Sequence, residues 1–154
     1  MDLNSKKQFI LKSFWFWLFI ALITSQFISM NISAKIESDP KEEIQAPKEV
    51  MTILKRSCYD CHSSDVQEPF YYNIAPMSWL VQLHVKNGRK VVNFSKWQTY
   101  SIEKQLKVMD KFSKSIVIRM PMPSYLWLHQ DATMSANEKK LLTKWAEELK
   151  EKIK

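Results

Sequence analysis

The feature that most restricts the fold of this chain is its single glycine, Gly88, among 154 residues. Two-residue hairpin turns need backbone at positive φ, which glycine supplies most readily, so strands joined by tight turns are not expected. Glycine-rich loops that bind phosphates and dinucleotides are excluded for the same reason. The many Lys, Glu, Leu and Met residues favour helix. The composition therefore predicts an all-α protein.

The N-terminal segment combines a basic end with a long apolar run. Lys6, Lys7 and Lys12 precede or flank FWFWLFIALITSQFISM, residues 14–30, which carries no charge. A transmembrane helix needs about 20 mostly apolar residues, and the basic flank stays in the cytoplasm. We therefore predict an N-terminal transmembrane helix within a signal anchor at residues 1–30. In a Gram-negative cell it would cross the inner membrane once and leave the C-terminal domain in the periplasm.

The rest of the organisation follows from that topology. A cleaved signal peptide is the alternative to the anchor, with ISA at 32–34 as a small-residue site. Residues 31–47 are polar and contain two prolines, which predicts a flexible linker, and residues 48–154 form the predicted folded domain. The net charge of +7 is typical of nucleic-acid-binding chains, but export excludes nucleic acid as a partner.

Hydrophobic periodicity predicts four helices in the folded domain. Between the third and the fourth, prolines predict an extended loop at 119–134. The four helical segments are PKEVMTILKRS from Pro47, APMSWLVQLHVKNG at 75–88 with Gly88 as its C-terminal cap, a long segment with Ser95 as its N-cap, and a last helix opened by the capping box of Ser135 and Glu138.

Both cysteines of the chain lie in the motif Cys58-Tyr59-Asp60-Cys61-His62. Cys-x-x-Cys-His is the attachment signature of c-type haem, in which both thiols bond to the vinyl groups and the histidine binds the iron. Thioredoxin-like dithiol chemistry, structural zinc and a plain disulfide are the alternatives. The chain lacks the βαβ pattern that accompanies a thioredoxin-like dithiol, and it lacks a fourth ligand for structural zinc. A disulfide between the two cysteines would close only a very short loop. We predict one covalent haem c on Cys58 and Cys61 with His62 as an axial ligand.

Five separated blocks of sequence resemble the bacterial haem-binding domain family, small c-type cytochrome-like domains that are usually tethered to the membrane. They are CYDCHSS, YYNIAPMSW (71–79), GRKVVNFSKW (88–97), MPMPSYLWLH (120–129) and MSANEKKLLTKWA (134–146). The resemblance covers about residues 48–150 and implies a small cytochrome c-like helical domain around one covalent haem. Phe70 and Arg119 depart from the family pattern, which tends to have a tryptophan and an acidic residue there.

The second axial ligand of the iron is predicted to be Met120. It stands before Pro121 in the loop whose rigidity would hold a thioether steady, and the family resemblance implies a methionine at this place. Met122 is the alternative, because side chains of an extended segment alternate between two sides. His84, interpreted as a core histidine, and His129, interpreted as a loop anchor or haem-propionate contact, would give a bis-His site instead.

The remaining candidates surround the predicted haem. Nine basic residues lie between Lys86 and Arg119, against Glu103 and Asp110, and they indicate either a solvated face or a docking patch for an acidic redox partner or anionic lipid. We predict an electron carrier rather than an enzyme, with unidentified redox proteins as partners. The alternative is a peroxidase-like enzyme or a ligand sensor with a labile sixth site. The aromatic residues predicted to form the haem pocket, or else ordinary core, are Tyr71, Tyr72, Trp79, Trp97 and Trp127.

Overall fold

The computed structural model describes residues 12–28 and 35–154, and within them the chain is all-α, as its composition predicts. The only β pairing in these ranges is an isolated bridge between Lys35 and Asp65. The described elements are α1 (Phe14–Ser25), α2 (Lys48–Ser57), α3 (Tyr59–His62), α4 (Met77–Val91), α5 (Ile102–Ile118), α6 (Pro123–Leu126) and α7 (Ala136–Ile153), with short 3-10 helices at Pro40–Glu42, Phe94–Thr99 and Gln130–Ala132.

The described chain forms two compact units. The first contains residues 12–28 and 68–83, and the second contains residues 35–67 and 84–154. The boundary falls inside α4, so that the C-terminal half of this helix belongs to the second unit. Both cysteines, His62 and the methionines at 120 and 122 also belong to the second unit.

The prediction of a transmembrane helix is wrong for the part of the chain that the structure describes. None of the helices there is both long enough and apolar enough to cross a membrane. Helix α1 has 12 residues, which corresponds to a length of about 18 Å, and a hydrocarbon core is about 30 Å thick. Lys6, Lys7 and the ISA sequence at 32–34 lie outside the described residues.

Polar residues within the apolar run lie where α1 ends. The hydroxyl groups of Thr24 and Ser25 donate to carbonyl oxygens one turn earlier in the helix. The side-chain amide of Gln26 donates to the Ala75 carbonyl at 3.0 Å and accepts from the Ala75 amide at 3.1 Å. In the same unit Tyr71 and Tyr72 are buried, and the indole nitrogen of Trp79 donates to the Ile28 carbonyl. The apolar run is therefore longer than the helix it forms.

The hydrophobic core of the second unit lies between α2, α5 and α7. Helix α5 packs along α7, and α2 contacts α7 and the 3-10 helix Gln130–Ala132. Apolar residues at helical spacing supply this core: Met109 and Leu142 have no exposed surface, and Trp145 is buried. Ile44, from the segment predicted as a linker, is also buried in it, and its amide donates to the Phe94 carbonyl at 2.9 Å.

Three local predictions differ from the structure at helix ends. Helix α5 begins after Ser101, whose hydroxyl accepts from the Lys104 amide, and not after Ser95, which lies in a 3-10 helix that Asn93 caps. Helix α4 continues past Gly88 to Val91. Pro123 does not exclude helix but begins α6, because proline is tolerated at the first helical position. The capping box of Ser135 and Glu138 at the start of α7 is confirmed.

Candidate haem site

The Cys-x-x-Cys-His motif forms a single helical turn at the end of α2. The Cys58 amide donates to the Leu54 carbonyl at 2.9 Å, which closes α2, and the His62 amide then donates to the Cys58 carbonyl at 3.0 Å. On a helix, residues separated by three or four positions share one face. Cys58, Cys61 and His62 therefore lie on the same side of this turn, and all three line one cavity. Tyr59, between the cysteines, instead packs into the core on Phe94.

The His62 ring is held in a tautomer suited to binding a metal ion. Its Nδ1 atom lies 3.1 Å from the Val92 carbonyl oxygen, which can only accept a hydrogen bond, so Nδ1 carries the proton. In the neutral ring the lone pair is then on Nε2. Burial lowers the pKa of His62, although backbone hydrogen bonds with Val92 and Gly88 oppose the shift. The neutral form that a metal ligand requires is thus favoured.

The two cysteines are free thiols, and burial disfavours their thiolate forms. Burial raises the pKa of Cys58 to about 12 and that of Cys61 to about 11. Reactive dithiols and zinc-binding cysteines depend on a lowered pKa, because the thiolate is the reacting or binding form. Across residues 12–28 and 35–154, no cluster of three His, Cys, Asp or Glu side chains could hold a metal ion. Neither competing use of the motif is supported by its surroundings.

Gly88 allows α4 to pass directly against the motif. A Cβ atom at this position would lie 2.5 Å from the Cys61 carbonyl oxygen and 3.3 Å from the Cys61 Cβ. Any larger side chain would collide with the backbone of α3. The one glycine of the chain is therefore placed by a tertiary contact with the motif, which the sequence pattern of α4 alone does not reveal.

The loop after α5 brings both candidate methionines to the same cavity. The Met120 amide donates to the Ser115 carbonyl at 2.9 Å, which ties the start of this loop to the last turn of α5. Met122 caps the short helix α6. The Tyr125 hydroxyl donates to the Asp60 carboxylate, and Asp60 lies between the two cysteines. This hydrogen bond joins the methionine loop to the motif, although 65 positions separate the two residues.

The cavity has a volume of about 700 Å³, and all of its lining residues belong to the second unit. This volume lies within the range of about 300–1,000 Å³ typical of ligand and cofactor sites. Much of the lining is apolar, including Val92, Phe94 and Phe112. A thiol pair, an imidazole with its Nε2 lone pair available, apolar walls and a methionine-bearing loop fit the chemistry of a covalently bound haem. His62 would hold the iron, and the thiols would hold the ring.

The other predicted site residues occupy different places. His84 and Arg119 line the cavity. His129 stacks on Tyr125 with ring centroids 4.3 Å apart. Trp97 is buried in the core, Trp127 is 80% exposed, and Tyr71, Tyr72 and Trp79 belong to the first unit. Their contact with haem stays a prediction. The cavity residues that the sequence did not single out include Asp60, Val92, Phe94 and Tyr125.

Comparison with known proteins identifies the family of the chain. No curated protein and no solved structure matches the chain. The family model described as a haem-binding domain matches residues 20–148, which is most of the chain and includes the motif, the methionine loop and α7 as far as Glu148. The sequence resemblance is thus confirmed, and haem is the cofactor. The chain belongs to the haem-binding domain family.

Proposed function

We propose that this chain is an exported c-type haem protein that carries single electrons. The observation that carries the proposal is the convergence of Cys58, Cys61 and His62 on a largely apolar cavity that Met120 also lines. Bound haem supplies a reversible one-electron couple of iron. Each thiol would form a thioether by adding its sulfur and its proton across a vinyl group, and His62 would bind iron through Nε2.

Met120 is the proposed second axial ligand. Its backbone is restrained on both sides, by the hydrogen bond to Ser115 and by the Tyr125–Asp60 hydrogen bond that joins its loop to the motif. Met122 and His84 line the same cavity and are the competing ligands. An iron with two protein ligands is closed to peroxide and gases, which favours electron transfer over peroxidase-like or sensing chemistry.

The proposed location of the domain is the periplasm. The support is chemical, since c-type haem is attached on the outer side of the bacterial cytoplasmic membrane. Lysines preceding an apolar run at the N-terminus are also the pattern of an export signal. A reporter enzyme that is active only in the periplasm, fused after Lys154, should be active. An active cytoplasmic reporter at the same position would contradict export.

A redox titration with an added carbon monoxide arm tests the function. We expect one reversible one-electron transition and no change in the spectrum of the reduced protein on exposure to carbon monoxide. An electron carrier with two protein ligands should behave in this way. Rapid carbon monoxide binding by the unaltered protein would indicate an open sixth site and would favour the sensor or peroxidase-like alternative.

A further inference from the structure

The exposed rim of the cavity carries a row of lysines on α5. Lys104, Lys107, Lys111 and Lys114 recur at intervals of three or four residues and therefore share a face of the helix. The first three of them line the cavity, and all four are exposed. With a rise of 1.5 Å per residue, the row is about 15 Å long. Arg119, directly after α5, also lines the cavity. We call Lys104, Lys107, Lys111 and Lys114 the lysine row.

Little in the described part of the chain neutralises the lysine row. Asp110, one of two acidic residues of α5, forms an ion pair with Lys150 of α7 at 3.0 Å, and its charge also acts on Lys114 and Lys111 without an ion pair to either. The other, Glu103, has no ion pair within 4.0 Å among the described residues. The one carboxylate lining the cavity, Asp60, accepts a hydrogen bond from Tyr125. The rim is thus strongly positive.

The ordinary role of exposed lysines is to keep a surface soluble. Two observations favour an additional role of the lysine row in binding a partner. The positive charges are concentrated where the cavity opens, whereas the exposed cations of α7, such as Lys140 and Lys152, do not line it. Lys104 is also held in place, with Nζ 3.4 Å from the centroid of the Tyr100 ring. A row of like charges beside an opening attracts a surface of opposite charge and steers its approach.

We propose that the lysine row is the docking surface for an acidic protein surface that exchanges electrons with the haem in this cavity. The inference rests on the proposed function, because it needs a redox-active group behind the rim. The chemistry fits a patch of Asp and Glu side chains about 15 Å long, which matches the length of the row. A partner bound to the lysine row lies next to the cavity, whereas a partner bound to the exposed lysines of α7 does not.

The test compares two double variants with the same change of net charge in the full-length haem-loaded protein. Lys107→Glu/Lys111→Glu reverses two charges of the lysine row, and Lys140→Glu/Lys152→Glu reverses two exposed charges of α7. Fluorescently labelled poly-L-glutamate serves as the acidic probe, and binding is followed by anisotropy. We expect the row variant to lose at least tenfold in affinity at low salt and the α7 variant to change less than threefold. At 1 M salt, where the Debye length is about 3 Å, the difference should vanish.

A kinetic arm addresses electron transfer. Hexacyanoferrate(III) takes one electron from the ferrous protein to become hexacyanoferrate(II), and the protein becomes ferric. Because the oxidant is an anion, the charge reversal in Lys107→Glu/Lys111→Glu should slow this reaction about tenfold at low salt, which is within the range of electrostatic steering. Oxidation by a cobalt(III) complex cation should become faster.

Three results would overturn the proposal. Equal effects of the two double variants on binding would show that the net charge of the protein, and not the position of the lysines, controls binding. Unchanged oxidation kinetics of the row variant would show that electrons leave the protein at another surface. Row-dependent binding to phosphatidylglycerol vesicles that is tighter than binding to poly-L-glutamate would assign the row to lipid. Failure of the proposed function is distinguishable, because a protein without redox-active haem gives no kinetic signal while the poly-L-glutamate titration still reports on docking.

Discussion

Replacement of Gly88 by alanine should destabilise the protein, although helix propensity alone predicts the opposite. The added Cβ would lie 2.5 Å from the Cys61 carbonyl oxygen and 3.2 Å from the carbonyl carbon. Ordinary van der Waals contact begins near 3.4 Å, so α4 and α3 must separate by roughly 0.9 Å at this point. The obstructing atoms are backbone and cannot rotate away as a side chain could.

The magnitude is the difference between two opposing effects. Insertion of a methyl group into close-packed structure costs about 1–3 kcal/mol, and contact with backbone places this site near 3. Alanine is favoured over glycine inside a helix by about 1 kcal/mol. The expected net loss is therefore about 2 kcal/mol of unfolding free energy. The fraction of chains carrying attached haem should also fall, since Cys61 itself is displaced.

Urea unfolding of the full chain, followed by far-ultraviolet circular dichroism, measures this loss. Lys90, exposed on the same helix, supplies the control. Lys90→Ala should be more stable than Lys90→Gly by about 1 kcal/mol, which calibrates the propensity term in α4. If Gly88→Ala were as stable as the unaltered protein or more stable, the contact between Gly88 and Cys61 would not be the reason for the glycine.

Further predictions concern the ligand loop, its restraint and the start of α7. Met120→Ala should permit carbon monoxide binding to the reduced protein and abolish the near-infrared methionine-to-iron band, whereas Met122→Ala and His84→Ala should retain that band; the reverse pattern for Met122 would make it the ligand. Tyr125→Phe removes the hydrogen bond to Asp60 and should lower the unfolding free energy by about 1 kcal/mol and weaken the same band, whereas an unchanged band would show that the bond does not restrain the loop. The pKa of Glu138 is lowered chiefly by the hydrogen bond from the Ser135 backbone and next by the hydrogen bond from Arg56. The stability that the ionised Glu138 adds is therefore present above the pKa of the unfolded chain and is lost as pH falls through the lower pKa of the folded protein. Urea midpoints of Glu138→Gln should therefore fall less than those of the unaltered protein between pH 6 and about pH 3, and parallel curves would refute this coupling.

Local patterns in the sequence predicted the parts of the fold that depend on neighbouring residues. The capping box of Ser135 and Glu138 needs only contacts within one helix, and the helical periodicity of buried residues such as Leu142 and Trp145 needs only one buried face. The grouping of Cys58, Cys61 and His62 follows from helical spacing in the same way. Such features are readable because the relevant residues lie within a few positions of one another.

Features that depend on distant residues were missed or misread. The N-terminal apolar run suggested a spanning helix, but α1 ends at Ser25, and the side chain of Gln26, the next residue, bonds to the backbone of Ala75, 49 positions away. Gly88 was predicted to cap the end of a helix, but a glycine is needed there because the backbone of Cys61 leaves no room for a Cβ atom. Ser95 and Ser101 are both good caps, and the choice between them depends on how Asn93 caps the preceding 3-10 helix.

The most direct test of the central claim is mass spectrometry of the peptide that carries the motif. Trypsin cleaves after Arg56 and next after Lys86, so that both cysteines and His62 lie in the single peptide 57–86. The protein is purified after expression with a c-type haem attachment system and is alkylated under reducing, denaturing conditions before digestion. Covalent attachment predicts that this peptide is heavier by one haem and that neither cysteine is alkylated. An unmodified peptide with both Cys58 and Cys61 alkylated would contradict the account.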